Sequence, residues 1–370
     1  MVYGTYFKSS ALHVNSFFQT GTNIVFGFGA VSGRDAWISS LISIVGGSLL
    51  ILLYISLMRM NPGLSLVQWW PEQFVKWIGT PIAWMYILLI VYQISREVGD
   101  LKFLISITIL PRTSSFVFLS LFMILIMYST YSGIETIARV AQIAFYVLLL
   151  LVIMEIIFLY ASKFMDFHKL LPIAGKGWKP IMNAVWPIGT LSFGEAIELA
   201  MIWPLVKQSE KIIKTTLIAS ITFGVFITIF DGMAVATLGG GIFKNNIYPL
   251  YTLVQQISIG EFITNLDAIG VLYLLTNVFF RMSLYMFAAV RGIQQLTFVK
   301  SSRIFILPVV VISLCWGIAL SPNISEHIEV ATNFFQYNLA IPLFVILPSI
   351  LFIVSLIRRK YRMNSRKDIY

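Results

Sequence analysis

Charge is scarce in this 370-residue chain: Asp, Glu, Lys and Arg make up 11% of it, while 58% is hydrophobic. A soluble domain carries about a quarter charged residues, so a water-soluble fold is excluded, since it would have to hide far more apolar surface than its core could hold. Cysteine is almost absent. The single Cys315 sits in an apolar stretch, which rules out an intrachain disulfide, a thiol pair or a Cys-based metal cluster and leaves inert packing as its role. Histidine is equally sparse: His13, His168 and His327 are scattered, no pair has metal-ligand spacing, and no nucleophile motif accompanies them. Neither enzymatic chemistry nor a cofactor is expected. No linker or shift in composition divides the chain, so residues 1–370 read as one membrane domain that ends in a basic tail, 358–370.

Long apolar runs are what the chain has instead. Ile38 to Leu57 and Val140 to Leu159 each run with at most one charge, and about twenty residues at about 1.5 Å per residue match a hydrocarbon core of about 30 Å. Reading such runs between polar punctuation gives spans at 10–31, 38–58, 79–95, 114–132, 140–161, 182–206, 212–238, 267–290, 304–320 and 334–357. The fold class expected is therefore all-α integral membrane, with about ten transmembrane helices. The first stretch, Ala11 to Val31, carries Gln19, Thr20, Thr22 and Asn23, which suits a retained span better than a signal peptide. The connections Lys163 to Ile181 and Gly239 to Leu266 hold aromatic and apolar residues and are expected to form short interfacial helices.

The net charge of +10 sits between the spans, and no loop alternates basic and aromatic residues, so no nucleic-acid partner is expected. With an even number of spans both termini share a side. Arg358, Arg359, Lys360, Arg362, Arg366 and Lys367 make that side the cytoplasm, with about sixteen basic residues there against about nine opposite. The same tail has affinity for anionic membrane lipid.

Two spans are built to break. Gly27, Gly29 and Gly33 interrupt the first; Gly189 and Gly194, between Pro187 and Pro204 with Thr190 and Ser192 alongside, interrupt the sixth. Breaks at corresponding positions of two five-span halves point to a 5+5 inverted repeat whose unwound backbone lines a ligand site near the midplane. Gly46 and Gly47, in an otherwise smooth span, read as packing positions. Among intramembrane ionisable residues, which normally face a cavity or one another, Glu195, Glu198 and Arg281 stand out. Glu195 and Arg281 both fall roughly 20 Å deep by helical rise, so they are expected to pair. Glu155 and Asp231 fall nearer the boundary, where a wet interfacial position explains them. Arg96 and Asp100, four apart, are expected to pair on one helix face.

The segments Leu171-Pro172-Ile173-Ala174-Gly175-Lys176-Gly177-Trp178-Lys179-Pro180-Ile181 and Gly133-Ile134-Glu135-Thr136-Ile137-Ala138-Arg139, with Phe193-Gly194-Glu195 and Gly27-Phe28-Gly29, resemble the B subunits of spore germinant receptors. That family is a branch of the amino acid, polyamine and organocation transporter superfamily with the LeuT-like fold. The resemblance implies a pocket for a small nutrient germinant, an amino acid first, at the breaks carrying Gly27, Phe28 and Gly29 and Ser192, Phe193, Gly194 and Glu195. Tyr86 and Ile90 in the third span, and Arg281 and Ser283 in the eighth, fall where relatives line that pocket. It further implies partner A and C subunits, the latter a lipoprotein, and the spore inner membrane as location. A proton-coupled amino-acid transporter, with Glu195 or Glu198 carrying the proton, is the alternative within the superfamily.

Overall fold

The computed structural model describes residues 15–19, 27–108, 112–162, 164–205, 209–256 and 267–367, with side chains for all but 28, 108, 209–213, 250, 267–269 and 360–367. The expected first span is thus described only at 15–19 and 27–31. The Phe28 side chain, the tail side chains from Lys360 onward, and those of Lys207 and Lys211 lie outside the described residues.

Every regular element among the described residues is helical. In chain order these are α1 (Ala36–Met60), α2 (Leu66–Gln73), α3 (Lys76–Thr108), α4 (Ser115–Ser132), α5 (Ile134–Ala161), α6 (Trp178–Ala184), α7 (Ser209–Leu238), α8 (Gly240–Asn245), α9 (Pro249–Gln255), α10 (Asp267–Thr297), α11 (Ile306–Ala319) and α12 (Ile324–Glu329). A π-helical stretch, Val330–Ile346, leads from α12 into α13 (Leu347–Lys367). Eight of the described helical runs are long and apolar enough to cross a membrane. Such spans must close their backbone hydrogen bonds internally, because lipid offers no partners. Where the chain reverses, glycine permits it: Gly133, at φ 91°, joins α4 to α5 in a conformation that a side chain would disfavour.

Packing follows the two halves of the chain. The segment 28–35 lies against α6, α1 against α7, α3 against α10, and α4 against α11. In span order these are first with sixth, second with seventh, third with eighth and fourth with ninth, the pairing that a five-plus-five repeat produces. Burial grades the helices accordingly. In its most apolar stretch α10 is 72% buried, so it runs through the centre of the bundle, whereas α5, at 17%, faces outward to lipid.

The two broken spans differ in how they are broken. Gly27 adopts φ 55°, and the chain then winds as a tight 3-10 helix over Phe28–Asp35, with a second departure at Gly33 (φ 63°), before α1 begins. In the sixth span the non-helical residue is Trp186, at φ −127° and ψ 129°, not Gly194 as expected. The cause is Pro187, whose ring excludes its predecessor from the helical region. Beyond it, Gly194–Met201 is wound as 3-10 rather than α-helix. Gly194 serves close packing there, since a Cβ on it would stand 3.0 Å from Phe344. Gly47 lets α1 approach the same segment, because a Cβ would meet the Phe193 ring at 2.2 Å.

Candidate functional site

A cavity of about 440 Å³ lies between the two broken spans and is bordered on its other sides by α3, α10, α12, the π-helical stretch after α12 and the α8–α9 connection. Helical periodicity explains its polar wall. Gln93, Arg96, Glu97 and Asp100 stand at i, i+3, i+4 and i+7 along α3, on one face. They reach two distinct polar clusters.

In the first cluster Arg281 is held between carboxylates. Its Nε donates to Tyr285 Oη at 3.1 Å and forms an ion pair with Glu97 Oε1 at 2.9 Å, and its Nη2 donates to Glu195 Oε2. The guanidinium and Glu97 are each 4% exposed, so little water reaches them. Glu198, buried one turn beyond Glu195, accepts from Gln93 once that amide is oriented to donate. Two carboxylates therefore converge on one guanidinium, with a third, Glu198, buried beside them on Gln93, and the cluster is an acceptor for further positive charge, whether a proton or a cationic group. Arg281 Nη1 keeps no hydrogen-bond partner among the described residues.

In the second cluster His327 bridges α3 and α12. His327 Nε2 lies 2.7 Å from Asp100 Oδ1, and Nδ1 lies 3.2 Å from both Arg96 Nη1 and Ser321 Oγ. Since Arg96 can only donate, Nδ1 accepts and Nε2 carries the proton toward Asp100. Arg96 also donates to the His327 carbonyl at 3.0 Å. Gly99 is the seat of the ring, because a Cβ there would come within 2.5 Å of His327 Cε1. Arg96 and Asp100 thus do not pair with each other as expected: both side chains turn toward α12 and take the histidine between them.

Of the residues singled out from sequence, Gly27, Ser192, Glu195 and Arg281 line this cavity. Gly29 instead faces Asp231, which is 4% exposed and accepts from Ser40, so this aspartate braces the first break rather than sitting in wet interface. Tyr86 is buried and donates to the Leu343 carbonyl at 2.6 Å, Ser283 shares a hydrogen bond with Ser129 of α4, and Ile90, Phe193 and Gly194 are packed in the core. Gln93 and Glu97 were not singled out, Asp100 was read only as a partner for Arg96, and His327 only as an isolated histidine. The third span was expected to end at 95, where charges begin, yet α3 continues to Thr108 and carries those charges into the cavity.

Two broken helices flanking a polar cavity, inside a bundle whose halves pair helix by helix, define a transporter-like membrane protein of the LeuT type. Mhp1, a nucleobase-cation-symport-1 family transporter solved in a closed conformation with bromovinylhydantoin bound, shares the fold, with a TM-score of 0.73 over 93% of this chain and 77% of that one at 12% identity. Residues 9–324 match the spore germination protein family, the spore permeases. Spore germination protein KB of Bacillus subtilis (strain 168) is 27% identical over 357 residues, or 95% of this chain and 94% of that protein. The chain belongs to this family of germinant receptor B subunits.

Proposed function

We propose that the protein is the ligand-sensing membrane subunit of a spore germinant receptor, which binds a small nutrient, an amino acid first among candidates, in the central cavity and signals to A and C (lipoprotein) subunits. The observation that carries this reading is the cavity itself. At about 440 Å³ it falls in the range of about 300 to 1,000 Å³ typical of small-molecule pockets, and it sets Arg281 Nη1, without a partner among the described residues, beside the carboxylates of Glu97 and Glu195. A zwitterion answers both with one molecule. Gly27, Ser192, Glu195 and Arg281 are the proposed contacts among the residues first singled out; Glu97 joins them. The proposed setting is the spore inner membrane with both termini cytoplasmic, and no enzymatic step is involved.

The test is a nutrient dose response in spores carrying the partner subunits. Ser192→Leu fills the cavity with apolar bulk and should raise the half-maximal nutrient concentration at least about tenfold, the penalty of about 1.4 kcal/mol in binding, at unchanged protein abundance. A wild-type dose response would remove the cavity from the recognition pathway. The second reading, a proton-coupled transporter, draws on the fold shared with a symporter and on the carboxylate surplus. Gradient-driven accumulation of any amino acid in proteoliposomes would put it first.

A further inference from the structure

Next to the central cavity lies a second one, of about 520 Å³, which shares Val31, Lys244 and Asn245 with it. Three cations line it from three separate segments: Arg34 from the end of the first break, Lys176 from the connection before α6, and Lys244 from α8. The segments are fixed to one another. Asp35 Oδ1 accepts from the Ala174 N–H at 2.9 Å, which draws the connection bearing Lys176 onto the first break. Gly240 brings α8 so close that a Cβ on it would stand 2.6 Å from the Arg34 nitrogen. Asp35 is the only carboxylate in the lining, and it is 5% exposed and already committed to Ala174. None of the three cations has an ion pair among the described residues. The three side chains are solvent-exposed, so their mutual repulsion is screened, but a concave wall of one sign still concentrates counter-ions from solution.

We propose that this second cavity is an anion-binding antechamber that takes the carboxylate of a small molecule before it passes Lys244 into the central cavity. The anion site stands on the residues just named, whereas its role as an entrance rests on the function proposed above. The two walls differ in charge: the outer one carries three cations and the committed Asp35, whereas the inner one sets Glu97, Asp100 and Glu195 against Arg96, Lys244 and Arg281.

The experiment uses the full chain in phosphatidylcholine nanodiscs, with thermal unfolding followed by intrinsic fluorescence at constant ionic strength. Acetate and inorganic phosphate are the probes and acetamide is the neutral control. Both anions should raise the unfolding midpoint saturably and acetamide should not. Arg34→Gln with Lys176→Gln should raise the apparent Kd for acetate at least about tenfold, the low end of what focused charge contributes, without moving the midpoint in the absence of anion. Should the double substitution fold poorly, Lys176→Gln alone should weaken acetate binding and Lys176→Arg should restore it. Equal anion responses in wild type and variants would overturn the proposal. A response lost in Arg281→Met but kept in the double variant would place the anion in the central cavity, overturning the antechamber while leaving the proposed function standing. If discs containing phosphatidylglycerol abolish the acetate response in wild type, the site holds a lipid headgroup and the entrance role falls.

Discussion

Both polar clusters of the central cavity grow from the same face of α3, yet they solve opposite problems. Around His327 each group has a partner suited to it: Asp100 takes the Nε2 proton, Arg96 and Ser321 approach Nδ1, and Gly99 leaves room for the ring. Around Arg281 the count does not balance, because Glu97 and Glu195 share a single guanidinium, Glu198 is buried beside them on Gln93, and Arg281 Nη1 has no partner among the described residues. A satisfied buried network makes the structure rigid, whereas an unbalanced one is where a ligand or proton changes the energy most. The His327 cluster holds α12 against α3, and under the proposed function the Arg281 cluster is the one that responds.

The largest expected effect breaks the unbalanced cluster. Arg281→Met removes the cation paired with Glu97 and Glu195 and strands those carboxylates in the bundle, so it should cost about 3 to 5 kcal/mol of stability. Glu195→Gln should cost less, since Glu97 still pairs with the arginine. The double variant should regain part of the Arg281→Met loss, and adding Glu97→Gln should regain more. Thermal unfolding in detergent checks the series, and strictly additive losses would show that the three groups are not one network.

What the sequence made legible divides along the same line. The apolar runs, the glycine-marked first break and the pairing of Glu195 with Arg281 were all readable, because membrane burial makes each charge conspicuous and helical rise fixes its depth. His327 was not readable. Its partner Asp100 is 227 residues away, and nothing local distinguishes it from a histidine in a loop. Glu97 was missed for a different reason: charges at 96, 97 and 100 look like the end of a span when the helix that carries them in fact runs on through a polar interior. The sixth-span break was expected at glycine but falls at Trp186, since Pro187 constrains its neighbour more strongly than glycine merely permits a bend.

A middle-sized effect sharpens the assignment of the His327 cluster. Gly99→Ala would drive a methyl group into the imidazole and should cost about 1 to 3 kcal/mol, the usual penalty for overpacking. In a His327→Ala background the same methyl finds space, so the alanine should become neutral or slightly stabilising through its better helix propensity. An equal cost in both backgrounds, measured by thermal unfolding, would mean that the ring is not what Gly99 accommodates.

The smallest effect tests whether the His327 cluster extends to the end of α11. Lys102, also on α3, donates from Nζ to the Ile318 carbonyl at 3.1 Å and the Ser321 carbonyl at 2.9 Å, the orphan acceptors where α11 stops. Lys102→Met keeps the apolar stem but removes both bonds, and should cost about 1 kcal/mol. Ser321 is shared, since its hydroxyl meets His327 Nδ1 while its carbonyl receives Lys102. The two substitutions Lys102→Met and His327→Gln should therefore couple by at least about 0.5 kcal/mol in a double-mutant cycle. Loosening the turn from one side already forfeits part of what the other side held. Full additivity would separate the cap on α11 from the histidine and confine the rigid cluster to α3 and α12.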